Sequence, residues 1–174
     1  MMKIDEKSRL TFLKYAVPCA GTLVKRGTIT QDHMDSLREA VKSGQAPKGA
    51  ERIFKVALSA CSLLAIDMGK GVIDDEVLYN YYLFGHDDII DKRFDEMGDF
   101  DAEACRIRAG IVEDVFPGSA VVSNSLGRKE YMTDFAPGIE KGDAVSTHWD
   151  FIVEKIDPTV AKKMTDKKAE LGKM

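Results

Sequence analysis

The sequence has few cysteines, no long apolar run and no excess of positive charge. Its three cysteines, Cys19, Cys61 and Cys105, form no CxxC pair, and an odd count in a reducing compartment indicates free thiols. The net charge of −4 argues against a nucleic-acid-binding surface. The longest apolar run, over residues 56–66, is about half of the roughly 20 residues that a membrane-spanning helix needs. The opening MMKIDEKSRL has no signal-peptide core, so we expect a cytoplasmic protein that binds neither nucleic acid nor membrane.

What the sequence does contain is typical of a globular protein built from two different halves. Hydrophobic residues make up 44% and charged residues 31% of the 174-residue chain, which is not the composition of a disordered protein. Apolar residues recur at helical spacing up to about Phe100 and alternate after Asp101. We therefore predict a helical domain over residues 1–100 and a β-rich domain over residues 101–174.

Helix signals mark several segments of the first half. TITQDHMDSLREAVKSG begins at the N-cap Thr30 and stops at Gly44. The segment GAERIFKVALSACSLLAIDMG is apolar on most faces, which predicts a helix in the interior of a bundle. DDEVLYNYYLFG predicts a further helix, and HDDIIDKRFDEMG a last, shorter one.

The second half carries strand signals separated by turns such as Pro117-Gly118 and Gly142-Asp143. Its predicted strands are RIRAGIVEDVF, SAVVSN, KEYMTDF, DAVSTHW and FIVEKI. Short strands at this spacing favour a small barrel, because closing the sheet removes its exposed edges. Asp157 then caps a charged helix with Pro158 at its first position. The predicted fold class is α+β: an N-terminal helical bundle followed by a small OB-like β-barrel and a C-terminal helix.

Two segments of the second half resemble the HypC/HupF hydrogenase maturation chaperones. CRIRAGIVEDV is similar to the family's opening strand, and APGIEKGDAVSTHWDFIVEKIDPTVA is similar to its end. The resemblance covers residues 104–165. The residues at matching positions are Cys105, Gly110, Val112, Glu113, Asp114, Gly142, Asp143, His148, Glu154 and Lys155.

The helical half resembles an uncharacterised family in which such a region precedes the same barrel. FLKYAVPCAG and YNYYLFG are the stretches that carry this similarity. In the chaperones the cysteine directly follows the initiator methionine, whereas here the helical half precedes Cys105. Ala109 stands where the family has a proline.

The resemblance to the chaperones implies a non-catalytic role in handling a metal centre. Such chaperones carry an iron centre, with cyanide and carbon monoxide ligands, toward the large subunit of a nickel–iron hydrogenase. They work with a partner scaffold protein and hold iron through their cysteine, with a histidine nearby. Carried over to this chain, Cys105 with His148 as its companion holds either a transiently bound iron centre or a metalloprotein partner. The implied partner is a metalloenzyme subunit or a maturation scaffold protein.

The residue types at these two positions suit that chemistry. A thiolate is a soft ligand for iron, and imidazole is a borderline ligand that also binds iron. A residue at the start of one strand and a residue at the end of another meet at one rim of a barrel, so we expect Cys105 and His148 to form an exposed pair there. Arg106 and Arg108 would add positive charge that favours a thiolate.

Other residues are weaker candidates. Cys19 lies after a helix-ending proline and is a candidate third ligand. His86, Asp87, Asp88 and Asp91 in GHDDIID are residue types that bind metals, although acids are also common at a helix start.

Two further interpretations of function remain open. In one, the chain is a structural or interaction protein whose barrel has lost its cargo role, which predicts a buried Cys105 with no histidine in reach. In the other, the chain is an enzyme whose site lies in a cleft between the two halves and uses the acids of HDDIID. The sequence identifies neither the partner nor the oligomeric state.

Overall fold

Polar capping residues mark the starts of two helices of the first half. The computed structural model describes residues 1–93 and 101–171. The side chain of Thr30 accepts a hydrogen bond from the backbone N–H of His33, and the side chain of Asp74 accepts one from Val77 N–H at the start of the DDEVLY segment. The helices are α1 (Arg9–Ala16), α2 (Ala20–Lys25), α3 (Gln31–Lys42), α4 (Lys55–Asp67) and α5 (Asp75–Tyr79). Short 3₁₀ turns cover Glu6–Ser8, Val17–Cys19 and Ala50–Ile53, and a π-helical turn over Asn80–Gly85 follows α5.

Aromatic side chains form the core of this helical unit. Tyr82 is buried and stacks on Tyr15 at a ring-centroid distance of 4.8 Å. Phe12 meets the same ring edge-on at 6.0 Å. Tyr81 and Tyr82 of YNYYLF therefore pack the interior of the unit, whereas Tyr79 and Phe84 are partly exposed.

The prediction that α4 is buried all round is wrong. Leu58, Cys61 and Ala65 are buried, but Leu63 is 66% exposed and Ile66 is 61% exposed. The helix therefore has one covered face and one apolar face in solvent. An apolar run cannot distinguish these two cases, since hydrophobic residues are not confined to protein interiors.

The second half folds as a closed five-stranded barrel, which confirms the predicted fold class. Its strands are β1 (Arg108–Phe116), β2 (Ser119–Asn124), β3 (Gly127–Met132), β4 (Ala144–His148) and β5 (Phe151–Lys155). They pair in the order β1-β2-β3-β5-β4, and antiparallel pairing of β1 with β4 closes the sheet. Inward strand residues fill the barrel together with two residues of the β3–β4 connection, Ala136 and Ile139. The strand residues are Val112, Ala120, Val122, Tyr131, Val145 and Ile152.

Three helices accompany the barrel: α6 (His86–Arg93), α7 (Ala102–Cys105) and α8 (Pro158–Leu171). The compact units of the chain are Met1–Gly85, the helical unit, and His86–Met174, the barrel unit. The spacing of apolar residues changes from helical to alternating only near Asp101, after the boundary between the units, because α6 is helical but belongs to the barrel unit. Asp87 and Asp88 of α6 pair with Lys168 and Lys167 of α8. The end of HDDIIDKRFDEMG, from residue 94, lies outside the described residues.

Candidate metal centre

Cys105 lies at the end of a short helix, not at the start of a strand as the alternation predicts. Asp101 caps α7, since its carboxylate accepts the N–H of Ala104 at 3.0 Å. Cys105 is the last residue of α7, and β1 begins only at Arg108. The cysteine side chain thus lies on the segment that leads into the barrel.

His148 is the last residue of β4, where the chain reverses into β5. It lies opposite Phe151 across the hairpin. Trp149, the next residue, has a left-handed backbone conformation with φ 53°, which is uncommon for a residue other than glycine. Its N–H donates to the carbonyl of Ala104 at 3.0 Å. This bond fastens the hairpin to α7 and so brings the two elements that carry Cys105 and His148 together.

The Cys105 Sγ lies 3.5 Å from the His148 Nε2. We call these two residues the thiol–imidazole pair. They are 43 residues apart in the chain, and both belong to the barrel unit. The expected meeting of the two side chains is therefore found, although a helix end and not a strand start supplies the sulfur.

The expectation that this pair is exposed is wrong. Cys105 is 3% exposed and His148 is 1% exposed. Alternation along a strand predicts which residues share a face, but it does not predict what covers the mouth of a barrel. The structure thus agrees with each hypothesis in one feature. Cys105 has a histidine neighbour, as the metal-binding hypothesis predicts, but it is buried, as the hypothesis of a lost cargo role predicts.

A second histidine contacts the pair. The ring of His86, at the start of α6, meets the ring of His148 edge-on, with 5.1 Å between centroids and an interplanar angle of 80°. His86 is 7% exposed, and its Nδ1 lies 3.2 Å from the Asp87 Oδ1. The sequence suggests His86 and Asp87 as a separate site, whereas the structure makes them the support on which the His148 ring packs.

Asp87 is held by several donors. Its Oδ1 accepts the N–H of Ile107 at 3.1 Å, and its Oδ2 pairs with the Lys168 Nζ at 2.8 Å. Burial acts to raise the pKa of Asp87, but the hydrogen bond to His86 and the nearby Lys168 charge outweigh it and hold the pKa well below its usual range. Asp87 is thus a charged carboxylate whose oxygens are engaged by protein donors.

The other acids of this stretch also face cations. Asp88 lies 3.5 Å from Lys167, and Asp91 lies 2.5 Å from Arg106. These ion pairs account for both carboxylates as links between α6 and its neighbours. A metal-binding role for Asp87 and Asp91 stays a prediction that the geometry does not favour.

Carboxylates compensate the positive charge expected beside the sulfur. Arg108 is buried and bonds the Glu103 carboxylate and carbonyl, each at 2.6 Å. Arg106 bonds the same carboxylate at 2.9 Å in addition to Asp91. The two arginines therefore fix α7 to the start of the barrel and do not present free charge to the thiol.

The remaining cysteines differ from each other. Cys61 is fully buried in α4, and burial raises the pKa of its thiol to about 12, as befits a core residue. Cys19 belongs to the helical unit, where it ends the 3₁₀ turn after Pro18 and is partly exposed. No disulfide joins the three cysteines, and the role of Cys19 as a third ligand stays a prediction.

Lys168 is the residue near the site that the sequence did not reveal. It lies in KKMTDKKAELGKM, a lysine-rich stretch that is typical of a solvated helix face. In the structure its Nζ contacts both the carboxylate of Asp87 and the carbonyl of Ile107. Burial is the main reason that the pKa of Lys168 is lowered. One lysine among the five of this stretch carries no local signal of such a role.

The chain matches no protein-family model, and no curated protein matches it. The resemblance of residues 104–165 to the HypC/HupF chaperones therefore stays a prediction. Over residues 1–93 and 101–171, every helix is too short or too polar to cross a bilayer.

Proposed function

We propose that the protein is a non-catalytic metal-binding protein whose barrel unit holds iron through Cys105 and His148. The observation that carries this proposal is the 3.5 Å separation of the Cys105 Sγ and the His148 Nε2. A thiol and an imidazole on elements far apart in the chain are brought within one ligand shell. Their chemistry, one soft and one borderline donor, suits iron and other late first-row metals.

Two protein ligands do not complete an iron site. Further donors come either from the ligands that an iron centre brings with it or from a third protein residue. Cys19 is the sequence-based candidate for that residue, since a second thiolate favours the same metals. A Cys19→Ala variant tests this prediction separately from the core of the proposal.

The burial of the pair affects how metal is held. A centre with Cys105 and His148 as ligands is shielded from water, which strengthens its bonds and slows its exchange. Release to a partner then requires the site to open. We therefore propose a retained metal in the isolated protein, with transfer only in a complex.

The resemblance to hydrogenase maturation chaperones supports a finer proposal. In it the cargo is an iron centre, and the partner is a metalloenzyme subunit or a maturation scaffold protein. A closed barrel with a cysteine before β1 and a histidine at the end of β4 supports this proposal. Copurification of an iron protein with the tagged wild-type chain, but not with Cys105→Ala, is the expected result.

An anaerobic metal titration tests the metal-binding proposal. We expect Co²⁺, used as an optical probe for iron, to produce a thiolate charge-transfer band in the wild-type protein. Fe²⁺ added in excess should compete with Co²⁺ and weaken the band, although a given site binds Fe²⁺ less tightly than Co²⁺. Cys105→Ala should abolish the band, and His148→Ala should weaken binding by more than the roughly 100-fold that loss of an outer-shell partner costs.

Cys61→Ala is the matched control for this titration, because Cys61 is also a buried thiol but lies in α4. It should bind cobalt as the wild type does. A wild-type protein that shows no band, or a band that survives in Cys105→Ala, contradicts the proposal.

The burial of Cys105 favours a second candidate, a structural or interaction protein in which the pair is only part of the core. A thiol-reactivity assay separates the two. If the pair is only core, added iron leaves the slow labelling of Cys105 in the native protein unchanged. If iron binds there, it protects Cys105 further and leaves the labelling of Cys61 as it was.

A further inference from the structure

The outer face of α4 carries an apolar stripe in solvent. Its aliphatic members are Val56, Leu63 and Ile66. Ser59, whose hydroxyl lies 4.0 Å from the Met1 Sδ, completes what we call the α4 seam. Val56 is 37%, Leu63 66% and Ile66 61% exposed, and Ser59 is exposed as well. The spacing of three, four and three residues is that of the a and d positions of a coiled coil. A seam of this kind fits a partner helix.

The α4 seam is complementary to itself when a second copy runs antiparallel. A two-fold axis level with position 61 places Val56 opposite Ile66 of the other copy and Ser59 opposite Leu63. A small side chain thus faces a large one at the centre, and two branched aliphatic side chains meet toward each end. This is the self-matching that an isologous interface requires.

The charges at the ends of α4 favour the same arrangement. Lys55 lies in the first turn of α4, beside the positive end of the helix dipole, and Asp67 lies in the last turn, beside the negative end. Both placements are unfavourable in the single chain. In the antiparallel pair, Asp67 of the other copy approaches Lys55 and the positive helix end beside it. The second copy therefore offsets the unfavourable interaction of each charge with its own helix dipole. Parallel pairing would instead place Lys55 beside Lys55 and Asp67 beside Asp67.

We propose that α4 is a homodimerisation surface and that two copies of this chain pair through it, antiparallel about a two-fold axis. The helix has 13 residues, so the seam is about 20 Å long. A contact confined to one helix of this length buries less area than the roughly 800 Å² per partner of a standard interface. The dimer therefore forms and dissociates with concentration.

Sedimentation equilibrium of the metal-free protein, from about 10 µM to about 1 mM, tests the proposal. The wild-type mass should rise with concentration from 19.3 kDa toward twice that value. Leu63→Glu should weaken dimerisation at least roughly tenfold, because it places like charges in the centre of the seam. Leu126→Glu is the matched control: Leu126 is 61% exposed but lies in the β2–β3 turn, and this variant should dimerise as the wild type does.

A charge exchange tests the orientation. Lys55→Glu and Asp67→Lys should each weaken the dimer, and the double variant should restore it. Both single changes suit the helix dipole better than the native residues do, so loss of the dimer would not reflect loss of α4. A wild-type protein that stays monomeric throughout, equal loss in Leu126→Glu, or a double variant weaker than either single one would overturn the proposal.

Discussion

Asp87 joins three parts of the barrel unit. Its carboxylate contacts His86 on its own helix, the Ile107 N–H before β1 and Lys168 on α8. Its side chain is 18% exposed, so these bonds act in a partly desolvated setting. Because the His86 ring packs on His148, the position of Asp87 also affects the thiol–imidazole pair.

We expect Asp87→Asn to lower the free energy of unfolding by about 3 kcal/mol, because it leaves the partly buried Lys168 charge uncompensated. Asp88→Asn is the matched control, since Asp88 is 43% exposed and its pairing with Lys167 is an exposed one. That variant should lose at most about 0.5 kcal/mol. Urea denaturation of both variants measures the difference, and equal losses would contradict the account.

The effect of Asp87→Asn also depends on pH. The folded state lowers the pKa of Asp87, so its stabilisation is complete above the unfolded pKa of about 3.9 and is lost as pH falls through the folded value. The gap in stability between wild type and variant should therefore be larger at about pH 5 than in more acidic solution, and it should shrink below about pH 4. A gap that widens in acid would show that Asp87 is not held as the anion.

Within the elements, β1 depends on the absence of a side chain at position 110. A Cβ at Gly110 would lie 2.8 Å from the Ser123 carbonyl oxygen and would overlap a methyl group of Val122. Both neighbours belong to β2, which pairs with β1 next to a β-bulge at Val112 and Asp114. Gly110 therefore allows β1 and β2 to pack closely against each other.

Gly110→Ala should destabilise the protein by about 1–3 kcal/mol through overpacking. Gly21→Ala is the matched control, because Gly21 lies in α2 and a Cβ there meets nothing within 4 Å. That change should be neutral or stabilise the protein by up to about 1 kcal/mol. Urea midpoints give both values, and a neutral Gly110→Ala would show that β1 and β2 do not approach as described.

The sequence predicts elements better than it predicts what covers them. Alternation located the five strands, and Asp157 with Pro158 located the start of α8, because these are local properties of a few residues. The exposed side of α4 could not be predicted, since burial depends on which other elements exist. The same reason applies to Cys105, whose partner was predicted but whose burial and helical position were not.

At the scale of the whole molecule, each unit has its own core and its own candidate role. The barrel unit brings together one thiol and two imidazoles, and it fixes them through a hydrogen bond from Trp149 to Ala104. The helical unit presents the α4 seam. Metal binding and self-association are therefore separable, because substitutions in the seam do not alter the residues around Cys105.

X-ray absorption at the iron edge of the anaerobically loaded protein tests metal binding by the thiol–imidazole pair most directly. The account predicts scattering from sulfur and from imidazole in the wild type. The sulfur contribution from Cys105 should disappear in Cys105→Ala, and the imidazole contribution should fall in His148→Ala. Iron surrounded only by oxygen donors, with a spectrum that neither substitution changes, would contradict the account.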